Sequence, residues 1–214
     1  MITENQTILF QGDSITDCGR NRDAAETPND LCGLGHGYAM MVAAELLSAR
    51  PTDNLRFFNR GISGNRIVDL DARIKSDILN LKPDLLSILI GVNDTWHEKT
   101  SRNGVAPAKY ERVYRALLNE VKEALPGVKF VLCEPFVLKC GVVTEEWVVE
   151  IDERRTIVAR LAQEFGARFV PFQSMFDEAV KQAPPAYWAS DGVHPTTAGH
   201  LLMAKCWLQQ TGRP

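Results

Sequence analysis

Short, continuously apolar runs recur along the chain, and each ends near a turn-forming residue such as glycine, proline, asparagine or aspartate. Compact apolar runs that stop at such residues are typical of strands. Both faces of each run are apolar, which favours a parallel sheet covered on both sides. The predicted strands are residues 7–11, 56–59, 85–90, 129–134 and 168–170.

Longer segments with helical periodicity separate these strands. The clearest one begins near Pro107 and stops at Pro126-Gly127. Its apolar positions are Tyr110, Val113, Tyr114, Leu117, Leu118 and Val121. Weaker helical patterns cover residues 38–49, 67–81, 145–165 and 196–210. This alternation predicts one α/β domain over residues 1–214, folded as a flavodoxin-like three-layer α/β/α sandwich around a five-stranded parallel sheet.

Charge and composition narrow the range of partners. Hydrophobic residues make up 45% of the chain and charged residues 24%, and the formal net charge is -3. Because no run of lysine or arginine is long enough to follow phosphates, we expect neither a nucleic acid nor a membrane partner. Residues 1–10 lack the basic start and long apolar core of a signal peptide, so the sequence predicts a cytoplasmic protein with a small-molecule substrate.

The cysteines and histidines show no metal-binding spacing. There are five cysteines, and none lies in a CxxC arrangement. We therefore expect free thiols, although Cys18 and Cys32 flank one loop and a bridge between them is an open alternative. His36, His97 and His200 are isolated along the chain, which favours structural roles. No metal or other cofactor is expected.

The first predicted strand is followed by Gly12-Asp13-Ser14-Ile15-Thr16. This order places a serine hydroxyl at the carboxyl end of a strand, where ligands of open parallel sheets bind. Ser14 is therefore a candidate nucleophile. The alternative is that Asp13 and Ser14 only cap a short helix.

Three other segments carry polar groups at comparable positions. Gly64 follows the second strand in NRGISGN, and Asn93 follows the third in GVND. Asp191 precedes His194 by three residues in DGVHP, ahead of the last helix. Taken singly, each segment is also compatible with an ordinary turn. Taken together, they would supply a backbone N–H, a side-chain amide, a carboxylate and an imidazole near Ser14.

These four segments resemble the blocks of the SGNH/GDSL hydrolase superfamily, in the family order and over nearly the whole chain. The resemblance implies a serine esterase with Ser14 as nucleophile and Asp191 and His194 completing its triad. It also implies an oxyanion hole formed by Ser14, Gly64 and Asn93. The family chemistry needs no cofactor.

Longer motifs resemble a small intracellular bacterial subgroup that includes acetylxylan esterases. They are GDSITDCGR, GHGYA, NRGISGN, GVNDTWH and DGVHPTTAGH. This resemblance implies deacetylation of xylo-oligosaccharides or related sugars, and a homo-oligomer, since similar acetylesterases commonly self-associate. The alternatives are a thioesterase or lysophospholipase of the same superfamily and a non-catalytic carbohydrate-binding relative.

Candidate substrate contacts are Asp13, Trp96, Tyr187 and Trp188. Each lies next to or near a motif residue in the sequence. Aromatic faces stack on sugar rings, but aromatic side chains also dominate burial, so packing at the rim of the core is an equal alternative for the two tryptophans.

Overall fold

The computed structural model describes residues 1–212 and contains a five-stranded sheet in the order β2-β1-β3-β4-β5. All four strand pairs are parallel. The strands are β1 (Thr7–Gly12), β2 (Arg56–Asn59), β3 (Leu85–Leu89), β4 (Lys129–Cys133) and β5 (Arg168–Val170). This is the strand order of a flavodoxin-like fold, so the predicted sheet is confirmed.

Helices connect the strands and cover both faces of the sheet. They are α1 (Ser14–Asp17), α2 (Leu31–Leu34), α3 (Tyr38–Ala49), α4 (Ile67–Ala72), α5 (Val92–Ser101), α6 (Pro107–Ala124), α7 (Glu145–Glu164), α8 (Phe172–Ala179), α9 (Pro185–Trp188) and α10 (Thr197–Thr211). A 3₁₀ turn spans Arg22–Ala24, and a π-helical segment spans Lys75–Leu79. None of the helices described is long and apolar enough to cross a membrane.

Side chains that alternate along the strands fill two apolar layers, one on each face of the sheet. Ile8 and Phe10 of β1 pack into the layer covered by α3, α8 and α10, whereas Leu9 packs into the layer under α4, α6 and most of α7. Trp207 of α10 is fully buried, and its indole N–H donates to the Ser87 hydroxyl of β3 at 3.0 Å. The sheet is therefore the middle layer of an α/β/α sandwich.

The strand order creates a crevice beside β1. Because β2 and β3 lie on opposite sides of β1, the connections after β1 and β2 lead to opposite sides of that strand, which is where such folds bind ligands. The register places Gly12 opposite Leu89 and Phe10 opposite Asn59, so β1, β2 and β3 end at one edge. The segments that follow these strands meet there.

The helices differ from the predicted ones at several places. The segment predicted as one helix over residues 67–81 is α4 followed by the π-helical segment. α2, α5, α8 and α9 were not predicted, and Asn93 lies in the first turn of α5 rather than in a strand-end turn. Most of α5 is polar, so it has little apolar periodicity, and α2 and α9 have four residues each, too few to show a period.

Candidate active site

Ser14 begins α1 directly after β1. The Asp13 carboxylate accepts the backbone N–H of Ile15 at 3.0 Å and caps the helix. A side chain on Gly12 would collide with the carbonyl oxygen of Leu89, so glycine lets β1 approach the end of β3 closely. Helix capping by Asp13 and a functional position for Ser14 are therefore compatible. Asp13 caps α1, and Ser14, the first residue of α1, faces the crevice.

Asp191 and His194 lie in the turn before α10. The distance between Ser14 Oγ and His194 Nε2 is 2.9 Å, and that between His194 Nδ1 and Asp191 Oδ2 is 2.7 Å. Because a carboxylate accepts hydrogen bonds, Nδ1 carries the imidazole proton and Nε2 is free to accept from the Ser14 hydroxyl. The three side chains form one continuous hydrogen-bonded chain.

Two opposing effects act on the Asp191 carboxylate. Partial burial raises its pKa, but hydrogen bonds from the His194 side chain and from the backbone N–H groups of His194 and Val193 outweigh burial, so its pKa lies below the usual value. The backbone distances to Asp191 Oδ1 are 2.7 Å from His194 and 2.9 Å from Val193. Asp191 is therefore an anion at neutral pH, as an acceptor for His194 must be.

The groups expected to form an oxyanion hole lie at the same edge. In the loop after β2, the N–H groups of Gly61, Ile62, Ser63 and Asn65 all donate within the protein. Within residues 1–212, the N–H groups of Gly64 and Ser14 have no protein acceptor. One hydrogen of the Asn93 amide donates to the Asn65 carbonyl at 3.1 Å, which leaves its second hydrogen free.

An open cleft of about 400 Å³ joins these groups. Its lining residues are Ser14, Ser63, Gly64, Asn93, Trp96, His97, Thr100 and His194. Four of them, from Asn93 to Thr100, repeat at the spacing of one helix face, so α5 forms one wall of the cleft. The Trp96 ring lies 5.8 Å from the His194 ring and 5.3 Å from the Trp147 ring, measured between centroids.

Of the predicted substrate contacts, only Trp96 lines the cleft. Trp188 donates its indole N–H to the carbonyls of Ala179 and Ala183 and packs against the core, while Tyr187 is 56% exposed outside the cleft. Asp13 is buried beneath α1, and burial raises its pKa to about 7 despite the Ile15 hydrogen bond. Asp13, Tyr187 and Trp188 are therefore not among the residues that line the cleft.

The other histidines occupy different environments. His200 is buried, its Nδ1 accepts the Tyr38 N–H at 3.2 Å, and burial together with the nearby His194 lowers its pKa to about 4. His97 lines the cleft, a position that sequence reasoning missed. Its spacing of four residues from Asn93 would have indicated it, had α5 been recognised as a helix. In the described part of the chain, no three His, Cys or acidic residues are grouped to hold a metal ion.

Comparison with known proteins agrees with this geometry. Residues 10–202 match the GDSL-like lipase/acylhydrolase family, so the chain belongs to that family and is a carboxylic ester hydrolase. It is similar to an acetylxylan esterase of Geobacillus stearothermophilus, with 36% identity over 99% of this chain and 96% of the relative. A crystal structure of a Geobacillus stearothermophilus acetylxylan esterase has a TM-score of 0.90 and 36% identity, covering 100% of this chain and 97% of that one.

Two further solved structures show the same fold. A protein of Parabacteroides merdae, described as a GDSL-like lipase, has a TM-score of 0.95 and 46% identity, covering 99% of this chain and 98% of that one. An α/β hydrolase from the metagenome of Lake Arreo, Spain, has a TM-score of 0.90 and 29% identity, covering 99% and 97%. The similarity therefore extends over both chains rather than over the motifs alone.

Proposed function

We propose that this protein removes acetyl groups from xylo-oligosaccharides or related sugars through an acyl-enzyme on Ser14. The observation that carries the proposal is the continuous chain from Ser14 Oγ through His194 to Asp191, with distances of 2.9 Å and 2.7 Å. Such a chain raises the nucleophilicity of a hydroxyl that is otherwise inert at neutral pH.

In the proposed reaction, His194 Nε2 takes the proton of Ser14 as Oγ attacks the ester carbonyl. The Asp191 carboxylate holds Nδ1–H in place and stabilises the imidazolium that forms. His194 then protonates the ester oxygen of the sugar as the C–O bond breaks, so the sugar leaves as an alcohol and the acetyl group stays on Ser14. Water, activated by the same histidine, releases acetate and restores the serine.

Negative charge on the former carbonyl oxygen needs donors that are already in place. The donors are the N–H groups of Ser14 and Gly64, which have no protein acceptor within residues 1–212, and the second hydrogen of the Asn93 amide. Preorganised donors of this kind are usually the largest contribution to catalysis of acyl transfer, because no reorientation accompanies the charge.

Similarity to the acetylxylan esterase supports the acetyl-sugar substrate. Two crystal structures of that esterase are of variants described as catalytic mutants, one with a serine and the other with a histidine replaced by alanine. The Trp96 ring beside His194 adds an aromatic face on which a sugar can stack. The comparisons do not favour a thioesterase, a lysophospholipase or a non-catalytic relative, and no observation supports them.

The proposal includes a cytoplasmic location, one catalytic domain over residues 1–214 and a homo-oligomer. The free thiols of all five cysteines support a reducing compartment. The two apolar layers on one sheet support the single domain. The homo-oligomer is what the family resemblance implies, and light scattering would measure it.

The test compares wild type with Ser14→Ala on acetylated xylo-oligosaccharides, with released acetate as the readout. We expect the variant to lose about 10⁶-fold in kcat, because the nucleophile is gone. Ser174→Ala, an exposed serine on α8, is the matched control and should retain full activity. p-Nitrophenyl acetate and octanoate measure the acyl-length preference.

Two results for the wild-type protein would favour the alternative functions. Wild type that prefers octanoate and ignores the sugar would move the substrate to a lipase or thioesterase class while keeping the triad. Wild type that binds the oligosaccharide and cleaves no ester would favour the carbohydrate-binding alternative.

A further inference from the structure

His97 contacts the loop that carries the proposed oxyanion donor Gly64. It lies on α5 one turn after Asn93, and its Nε2 is 2.9 Å from the Gly64 carbonyl oxygen. Because a carbonyl only accepts, Nε2 of His97 carries a proton and donates. His194 is the opposite case, since its Nε2 accepts from Ser14. The two histidines of the cleft therefore hold their protons on different ring nitrogens.

The loop after β2 is held on several sides. Ser63 donates from its N–H and its hydroxyl to Asp17 Oδ2 at 2.9 Å and 3.0 Å. The Asn65 carbonyl accepts from the Asn93 amide, and the Asn65 side chain accepts from Arg73 at 2.8 Å. Between these anchors, Gly64 adopts a left-handed φ of +84°. Its carbonyl oxygen accepts a hydrogen bond from His97.

We propose that His97 is a positioning residue that holds Gly64 in the backbone conformation in which its N–H faces the oxyanion. Glycine in this loop is free to rotate, and rotation about its backbone dihedrals would swing the N–H away from the reacting carbonyl. The Gly64 N–H belongs to the peptide on the Ser63 side, and its carbonyl belongs to the peptide on the Asn65 side. Holding Ser63 through Asp17 and the Gly64 carbonyl through His97 restricts the two dihedrals of Gly64 that lie between these peptides.

Proton transfer is assigned to His194, whose Nε2 lies 2.9 Å from Ser14 Oγ, whereas Nε2 of His97 is bonded to the Gly64 carbonyl. This inference rests on the proposed acyl-transfer function.

The effect of His97 should appear in the chemical step and not in substrate binding. A displaced oxyanion donor weakens stabilisation of the tetrahedral intermediate, while the ground-state ester gains little from that donor. We expect His97→Leu to lower kcat by about tenfold, which is less than the loss of a donor itself, with little change in KM. His97→Gln should recover most of the rate, because its amide nitrogen can donate from nearly the same place.

A tetrahedral adduct measures the oxyanion hole directly. A small alkylboronic acid adds to Ser14 and places an anionic oxygen in the hole, so its inhibition constant should rise by the same factor as kcat falls in His97→Leu and recover in His97→Gln. Ser101→Ala is the matched control, because its hydroxyl donates to the His97 carbonyl within α5 and it lies outside the cleft lining. Thermal melting checks that each variant is folded, and His97→Ala replaces the leucine variant if that one does not fold.

Failure of this inference is distinguishable from failure of the proposed function. Wild type that hydrolyses no ester would overturn the function itself. Active wild type with an unchanged kcat in His97→Leu, or with equal losses in the leucine and glutamine variants, would overturn the positioning role. A loss expressed only in KM would also contradict it.

Discussion

The two carboxylate oxygens of Asp191 perform separate tasks. Oδ1 accepts the backbone N–H groups of Val193 and His194 and so fixes the shape of the turn, whereas Oδ2 accepts from His194 Nδ1. Oδ1 therefore stabilises the turn, and Oδ2 orients the imidazole. A substitution that changes only Oδ2 should leave the turn intact and alter the tautomer of the histidine.

Asp191→Asn makes that change. The asparagine oxygen can keep both backbone bonds, but its NH₂ group then faces His194 Nδ1 and favours the tautomer with a proton on Nε2, which cannot accept from Ser14. We expect kcat on p-nitrophenyl acetate to fall by about 10⁴-fold with an unchanged melting temperature. A residual rate within tenfold of wild type would contradict the assigned tautomer.

At the scale of elements, α1 begins with a buried acid. Asp13 caps α1 and is 1% exposed, and burial raises its pKa to about 7, with smaller opposing contributions from the Ile15 hydrogen bond and His194. In the unfolded chain this carboxyl has a pKa near 4. Between those values the folded state holds more protons than the unfolded state, so the Asp13 contribution to stability decreases as the pH rises from about 4 to about 7.

Asp13→Asn tests this dependence. Asparagine is an equally good N-cap, and it has no charge to bury at high pH. The melting temperature of the variant relative to wild type should therefore increase by on the order of 5 °C between pH 5 and pH 8. Burial also raises the pKa of Asp94 to about 7, and the charge of Asp94 contributes to the raised pKa of Asp13, so the difference between the two proteins includes this repulsion. A difference that is constant with pH would show that Asp13 titrates normally.

The helices differ in how well they can be predicted from the sequence. α6 is predicted almost to the residue, because Tyr110, Tyr114, Leu117 and Val121 repeat along one buried face. α5 is not, because only its first turn is buried and the face that lines the cleft has no apolar repeat. The polar residues that line the cleft therefore remove the apolar periodicity by which α5 could be predicted from the sequence.

On the scale of the whole molecule, the predicted sheet and the main site residues follow from apolar strands and from motifs at strand ends. Ser14, Gly64, Asn93 and His194 line one cleft, and Asp191 is hydrogen-bonded to His194. Tyr187 and Trp188 do not line it, because proximity in sequence to His194 does not fix the direction of α9. Trp188 packs against the core and donates to the Ala179 carbonyl, whereas Tyr187 is exposed.

The thiols provide a test for the chain as a whole. Cys133 and Cys206 are buried, burial raises the pKa of Cys206 to about 11, and Cys18 and Cys32 are separate free thiols. We expect millimolar dithiothreitol to change neither the melting temperature nor the esterase rate. Titration of the denatured protein should find five thiols per chain. A lower melting temperature in dithiothreitol would reveal a bridge, with Cys18 and Cys32 as the pair to examine.

The 2.9 Å contact between Ser14 and His194 joins residues that are 180 positions apart in the chain. Under the proposed mechanism, Ser14 is synthesised 180 residues before the base that would activate it, so a nascent chain carries the serine without its histidine. Hydrolysis would then begin only after the segment around His194 docks beside β1. Recovery of esterase activity during refolding should therefore report this long-range contact, whereas far-ultraviolet circular dichroism reports secondary structure.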